Sequence, residues 1–102
     1  MGALKNFEDA LARNPDDPDL LREAGESALK AGDPEQALRH TNRSVELAPS
    51  NALARRLRGE IALTRKDPEG ALADLLEAAR LDPTDPQIHR ALAGAYQALH
   101  RP

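Results

Sequence analysis

All eight prolines of this 102-residue chain fit a single period of 34 residues. Pro15, Pro49 and Pro83 form one series, Pro34, Pro68 and Pro102 form a second, and Pro18 and Pro86 share a third phase whose middle position is Ala52. The segment DPEQAL at 33–38 returns as DPEGAL at 67–72. A period of this length indicates similar supersecondary units that bury their apolar faces by stacking on one another.

The prolines predict where helices begin. Four of them follow an aspartate, namely Pro18, Pro34, Pro68 and Pro86. An aspartate caps the first turn of a helix, and a proline at the first helical position loses no hydrogen bond. Gln36, three residues after Asp33, predicts a capping box. We therefore expect helices to begin near Pro18, Pro34, Ala52 (after Asn51), Pro68 and Pro86, with Pro15, Pro49 and Pro83 following helix ends.

Apolar residues recur at helical spacing in six segments, and strand-favouring residues are scarce. The stripes are Leu4, Phe7 and Leu11; Leu21, Ala24, Ala28 and Leu29; Leu38, Thr41, Val45 and Leu47; Leu53, Leu57 and Ile61; Leu72, Leu75, Ala79 and Leu81; and Ile88, Leu92, Ala95, Tyr96 and Leu99. Short loops force consecutive helices to be antiparallel. The sequence predicts an all-α fold of six helices, with Gly32 as a left-handed cap and Lys66 and His100 at the equivalent sites.

Charge and composition narrow the classes of function. A net charge of −3 with mixed signs argues against a nucleic-acid or membrane surface. The absence of cysteine excludes a disulfide framework and a thiolate metal site. No apolar run reaches the ~18 residues of a membrane span. We expect a soluble chain. The sequence does not determine its compartment, although it slightly favours the cytoplasm over the periplasm.

A 34-residue unit of two antiparallel helices closed by a proline resembles the tetratricopeptide repeat (TPR) family. The residues that carry the resemblance are Gly25 and Gly59 at the contact within a unit, Tyr96 with Ala28 and Ala62 at the aromatic site, Ala3, Ala37 and Ala71 at the signature alanine, Phe7, Thr41 and Leu75 at a bulky site, and Ala10, Ser44 and Ala78 at a small one. It covers essentially the whole chain and implies a right-handed superhelical α-solenoid. The Ala, Leu and Arg bias is similar to that of a bacterial protein.

The repeat phase divides the expected single TPR-like domain. Residues 1–17 form a lone second helix, 18–51 and 52–85 form whole repeats, and 86–102 form a lone first helix that acts as a cap. The helix expected at 1–17 has no first helix of its own repeat against which its apolar stripe could pack. We expect self-association, or continuation into a longer solenoid, through Leu4, Phe7, Leu11, Ile88, Leu92 and Leu99.

The fourth helix departs from the family pattern. Arg55 and Arg58 stand where packing residues are expected. We predict that their stems lie along apolar surface and that their heads reach water. The helix is then expected to rotate slightly and to pack through Leu53, Leu57 and Ile61.

The resemblance implies a concave groove lined by the first helices, in which family members hold peptides. Arg22, Arg56 and Arg90 share one phase, here called the arginine row, and the other residues expected on this face are Glu26, Leu29, Glu60, Leu63 and Gln97. The arginine row either grips peptide carboxylates or is occupied by i,i+4 pairs, Arg22 with Glu26 and Arg56 with Glu60. Arg90 is followed by Gly94 in place of the glutamate, so it is the freest to bind.

These patterns predict a protein–protein interaction module that binds a partner peptide. The peptide is acidic if the arginine row binds it. The alternative is a self-associating scaffold. Glu26 and Glu60 oppose a chaperone C-terminus as the ligand. We predict no enzyme activity, no cofactor and no metal. Asp16, Asp17 and Asp19 are explained by capping, and His40, His89, His100, Ser27 and Ser44 have no partners at readable spacings.

Overall fold

A computed structural model describes the backbone of residues 3–100 and the side chains of residues 7–100; the predicted contact of Leu4 lies outside the described side chains. Its helices are α1 (Ala3–Arg13), α2 (Pro18–Lys30), α3 (Pro34–Leu47), α4 (Ala52–Thr64), α5 (Pro68–Leu81) and α6 (Pro86–Leu99). The part described contains no strand. The all-α class, the six helices and the predicted helix starts are confirmed.

Side-chain caps hold the starts of five helices. Oδ1 of Asp33, Asp67 and Asp85 accepts from the backbone N–H of Gln36, Gly70 and Gln87, respectively, at 2.8–3.1 Å. Asp17 and Asn51 each accept two N–H bonds in the same way. The return bond of the predicted capping box is absent, because the N–H of Asp33 already donates to the carbonyl of Ala28 at 2.9 Å.

The predicted left-handed helix ends are confirmed at two of three sites. Gly32 has φ +84° and Lys66 has φ +62°. His100, at the third site, has φ −99° and its N–H still donates to the carbonyl of Tyr96 at 2.9 Å. The helical hydrogen bond therefore persists at His100, and the expectation of a left-handed cap there was wrong.

The chain forms two compact units, residues 1–49 and residues 50–102. In the first unit α2 packs against both α1 and α3. Its buried apolar residues are Leu21, Ala24, Ala28, Ala37 and Val45. The buried hydroxyls of this unit are satisfied by backbone carbonyls, since Thr41 donates to Ala37 and Ser44 donates to Pro18, both at 2.7 Å.

A polar contact joins α1 to α3 in the first unit. Nε2 of Gln36 lies 3.4 Å from Oε2 of Glu8 and 3.4 Å from Nε2 of His40. Burial, followed by the nearby charge of Arg39, lowers the pKa of His40 below its ordinary value, although Glu8 opposes the shift. The neutral imidazole is therefore favoured in the folded chain.

We expect the stability of the chain to fall as the pH drops through the range below about 6.5, where the unfolded state takes up a proton more readily than folded His40. The His40→Gln variant removes this titration and should show a flatter stability profile between about pH 5 and 7. Urea unfolding at a series of pH values measures both profiles. Parallel profiles for the two proteins would contradict the assignment to His40.

The second unit contains α4, α5 and α6, each in contact with the other two. Its core consists of Ala71, Leu75, Ala78, Ile88, Ala91, Leu92 and Ala95, against which Ala62 and Leu63 of α4 also pack. Ile88 is fully buried and Leu92 is 8% exposed. The expectation that these two residues lie open for self-association was wrong, because α6 turns them into the core of its own unit. Leu99 is half-buried.

The apolar stripe of α4 differs from the predicted one. Leu53 is exposed, whereas Ala54, Leu57 and Ile61 are buried. The predicted packing of Leu57 and Ile61 is confirmed, whereas that of Leu53 was wrong, because Ala54 is buried in its place. On α6, Tyr96 is also exposed instead of packed, and its ring lies 6.4 Å from that of His100. Small buried residues such as Ala91 and Ala95 form the helix contacts of the second unit, and the side chains of Leu53 and Tyr96 lie outside these contacts.

The heads of Arg55 and Arg58 bind a carboxylate. Arg58 donates Nε and Nη2 to the two oxygens of Asp74 on α5 at 2.7 and 2.8 Å, and Nη1 of Arg55 lies 3.5 Å from Asp74 Oδ1. The side chains of both arginines are about a quarter exposed. The prediction that the heads reach water was incomplete, because Asp74, a buried residue on the facing helix, pairs with them.

Candidate peptide-binding site

The residues predicted to bind a peptide lie on three helices of the two units. Arg22, Glu26 and Leu29 lie on α2 of the first unit. In the second unit, α4 and α6 carry Arg56, Glu60, Leu63, Arg90 and Gln97. The ion pairs and hydrogen bonds of these residues are described for each unit separately. The role of these residues in binding stays a prediction.

Arg22 is only weakly paired. Its Nη2 lies 4.0 Å from Oε2 of Glu23, and its buried Nε has no hydrogen-bond acceptor. No ion pair with Glu26 is present among the described residues. The predicted i,i+4 pair of Arg22 with Glu26 is therefore wrong, because the guanidinium turns towards Glu23. Leu29 is half-buried.

Arg56 is held by two carboxylates. Its Nη1 donates to Oδ2 of Asp85 at 2.9 Å, and its Nε lies 3.7 Å from Oε2 of Glu60. The predicted pair with Glu60 is confirmed. The backbone N–H of Gln87 has the largest effect and lowers the pKa of Asp85 below its ordinary value; burial opposes this shift, and the Arg56 guanidinium lowers the pKa further. Asp85 was predictable from the sequence only as a helix cap, because its second bond joins it to Arg56, 29 residues earlier in the chain.

Arg90 differs from the other two arginines. Its side chain is exposed and makes no ion pair with any residue from 7 to 100. Gly94 stands one turn later, where the carboxylate of Glu60 follows Arg56. Gln97 is also exposed, two turns further along α6. Arg90 therefore keeps its hydrogen-bond donors available to a ligand, as the sequence predicted.

A small cavity lies at the other end of α6. It measures about 190 Å³ and is lined by Leu63, Lys66, Pro68 and Ala98. Lys66 is exposed and, within the described part of the chain, forms no ion pair. Lys66 was predictable from the sequence only as a helix end. Its place beside the cavity depends on the contact between α4 and α6, for which the sequence offers no local signal.

The described residues hold no group of three or more His, Cys, Asp and Glu side chains that could bind a metal ion. From residue 3 to residue 100, no helix combines the length and the apolar character that a membrane span requires.

The sequence pattern of the tetratricopeptide repeat matches residues 1–43 and 22–86. The chain belongs to the tetratricopeptide repeat family. It is a TPR protein–protein interaction module, and the family is typically non-enzymatic. An inactive TPR repeat-containing thioredoxin of Arabidopsis thaliana is 29% identical over 89 residues, which is 87% of this chain and 13% of that protein. The TPR chain thus spans a small part of the relative that it matches.

Solved structures of other proteins share the fold. The first TPR domain of Spaghetti (RPAP3), bound to the HSP90 peptide SRMEEVD, is 22% identical with a TM-score of 0.91, and the match covers 95% of this chain and 77% of that one. A crystal structure of MamA is 20% identical with a TM-score of 0.89, and the match covers 96% of this chain and 57% of that one. At these identities the likeness concerns the fold alone.

Proposed function

We propose that the second unit binds an acidic segment of a partner protein along the face of α4 and α6. The observation that supports this most directly is the state of Arg90, which is exposed and unpaired among the described residues. A guanidinium presents several N–H donors in a planar fork that matches a carboxylate. The ligand therefore carries an aspartate or glutamate at Arg90.

Arg56 is a supporting residue in this proposal. Asp85 and Glu60 already occupy two of its faces, and its side chain is only 15% exposed. A ligand carboxylate at Arg56 would have to displace one of these acids. A carboxylate at Arg90 displaces only water, so the gain in binding free energy is larger there.

Lys66 supplies the second anchor of the proposed site. It lines the cavity beside Ala98, which follows Arg90 by eight residues on α6. Eight helical residues span about 12 Å. An extended peptide covers a similar distance in about four residues. We therefore infer a ligand with two acidic residues about four positions apart, and with a small apolar side chain near the 190 Å³ cavity.

Matched peptide libraries test this proposal. One library fixes glutamate at two positions four apart, and the other replaces both with glutamine. We expect the 102-residue chain to bind the glutamate peptides in fluorescence anisotropy, and Arg90→Ala to weaken that binding about tenfold, because a charge-assisted hydrogen bond contributes about 1.5–3 kcal/mol. Arg22→Ala should have a smaller effect.

Arg80→Ala is the matched control, since it removes the same charge from α5, where Arg80 is exposed and pairs with Glu77. It should leave peptide binding within about twofold, as expected for a surface charge that is screened by salt. Equal losses of affinity in Arg80→Ala and Arg90→Ala would show that the net charge of the chain, and not a contact at Arg90, controls peptide binding. Equal binding of the glutamate and glutamine libraries would overturn the proposal.

The peptide SRMEEVD serves as a further probe, because a structural neighbour binds it. We expect it to bind poorly to this chain, since the carboxylate of Glu60, next to Arg56 in the second unit, opposes an acidic tail. If SRMEEVD binds tightly and Arg90→Ala weakens that binding, the proposed site at Arg90 is supported. That result would overturn only the prediction that a chaperone C-terminus is not the ligand.

A further inference from the structure

An open groove lies between α1 and α2 in the first unit. It has a volume of about 400 Å³ and is lined by Phe7 from α1 and by Glu23, Glu26, Ser27 and Lys30 from α2. Phe7 is half-buried and Glu23 is exposed. The lining of the groove thus combines one aromatic side chain with charged side chains.

The internal repeat shows which element fits this groove. Helices α1 and α2 stand two periods of 34 residues before α5 and α6. The groove residues correspond to Leu75, Ala91, Gly94, Ala95 and Ala98. In the second unit α4 contacts both α5 and α6, and Leu75 and Ala95 are fully buried. The groove therefore lies where a helix equivalent to α4 would pack.

The approach of that helix must be close. In the second unit Gly59 of α4 meets Leu75, and a Cβ atom at Gly59 would lie 2.6 Å from Cγ of Leu75. Phe7 takes the place of Leu75 in the first unit. A helix that enters the groove therefore needs a glycine opposite Phe7.

The charges of the groove favour a basic helix. A Cβ atom at Gly94 would lie 3.8 Å from Cδ1 of Leu63 on α4, and Glu26 replaces Gly94 in the first unit. The residue equivalent to Leu63 would therefore face Glu26, which has no ion pair among the described residues. Glu23 is 4.0 Å from Arg22, and Lys30 is the one cation that lines the groove. The lining carries one net negative charge.

The cap of α2 offers a second acidic contact. Asp17 binds the N–H groups of Asp19 and Leu20 through Oδ1. Its counterpart Asp85 binds an N–H through Oδ1 and accepts from Arg56 through Oδ2. Asp17 has the same extended backbone as Asp85 and makes no ion pair in the described part of the chain. An arginine three residues before the glycine of the incoming helix would meet Asp17 as Arg56 meets Asp85.

We propose that this groove binds one amphipathic helix of a partner protein, with the pattern arginine, two residues, glycine, three residues, and lysine or arginine. The pattern places the first cation at Asp17, the small residue at Phe7 and the second cation at Glu26. The site lies in the other unit and takes a ligand of the opposite charge from the acidic segment proposed for Arg90. The two proposals can therefore fail independently.

A second copy of this chain is a poorer occupant. Its own α4 has the required arginine and glycine, but Asp74 and Asp85 hold that helix in its unit. Leaving that unit would expose Leu57 and Ile61, which are buried in the core. The α4 helix of a second copy is therefore not the occupant that we propose.

A peptide with the sequence of α4 (52–64), blocked at both ends and carrying Leu63→Lys, is the probe. We expect it to bind the 102-residue chain in fluorescence anisotropy. Glu26→Lys in the protein should weaken this binding at least tenfold, and a Leu63→Glu peptide should restore it with that variant. The same peptide with Gly59→Leu keeps every charge, and we expect it to lose at least tenfold in affinity.

Arg90→Ala should leave binding of the helical peptide unchanged, and Glu26→Lys should leave binding of the acidic peptides unchanged. Equal binding of the glycine and leucine peptides would overturn the proposed groove contact. Failure of the charge reversal to restore binding would overturn the role of Glu26. A dimer in sedimentation equilibrium that Glu26→Lys dissociates would assign the groove to a second copy and overturn the proposal of a different partner.

Discussion

Replacing Asp74 with alanine is expected to lower the free energy of unfolding by about 3 kcal/mol, because it removes the buried carboxylate that pairs with the heads of Arg55 and Arg58. Asp74 is 8% exposed, and both of its oxygens bind Arg58 at under 3 Å. The expected loss lies at the lower end for a buried pair, since the arginine stems can turn their heads partly towards solvent. Urea unfolding followed by circular dichroism measures it.

Two controls separate the pair from a general effect of the substitution. Glu77→Ala removes an acid from the exposed pair with Arg80 on the same helix, and we expect less than about 1 kcal/mol there. In a background of Arg55→Leu and Arg58→Ala, which copies Leu21 and Ala24 from the preceding repeat, Asp74→Ala should instead increase stability. The same loss in both backgrounds would contradict the assigned pairing.

Gly59→Ala is expected to destabilise the chain by about 2 kcal/mol, even though alanine favours a helix by about 1 kcal/mol over glycine. The added Cβ would lie 2.6 Å from Cγ and 2.8 Å from Cδ2 of Leu75, and 3.3 Å from the carbonyl oxygen of Ala71. Leu75 is fully buried, so it can move only by displacing its neighbours in the core. The cost of the displaced core therefore exceeds the gain in helix propensity.

Gly94→Ala is the matched control, since it also introduces alanine into a first helix of the repeat. The nearest atom to its Cβ would be Cδ1 of Leu63 at 3.8 Å, which is an ordinary contact. We expect Gly94→Ala to stabilise the chain by about 0.5–1 kcal/mol through helix propensity. Thermal unfolding of the two variants should shift in opposite directions. A shift in the same direction for both would mean that the contact with Leu75 is not decisive.

Features that depend on local chemistry were predictable from the sequence. The aspartates and prolines at helix starts act within one turn, so the five predicted starts, at Pro18, Pro34, Ala52, Pro68 and Pro86, agree with the structure. The left-handed conformations at Gly32 and Lys66 were predictable for the same reason. A period of 34 residues then fixes which helices are equivalent.

Features that depend on contacts between helices were not predictable. Leu53 and Tyr96 have apolar spacing, yet small residues fill the helix contacts and leave both exposed. Ile88 and Leu92 look like an open face in the sequence, although α5 covers them. The pairing of Arg58 with Asp74 joins residues 16 positions apart on facing helices, and no local rule connects them. The free state of Arg90 followed from the phase of Gly94 because that comparison needs only the repeat.

The pairing of Asp74 with the arginines of α4 also bears on how a repetitive chain avoids joining the wrong helices as it folds. Similar repeats can exchange elements, which is a common route to misassembly. If α2 packed on α5 in place of α4, Asp74 would face Leu21 and Ala24, which offer no cation. If α4 packed on α3, its two arginines would face His40 instead of a carboxylate. Neither mispaired hairpin can form the ion cluster of Asp74 with the two arginines, so this cluster favours the pairing of α4 with α5.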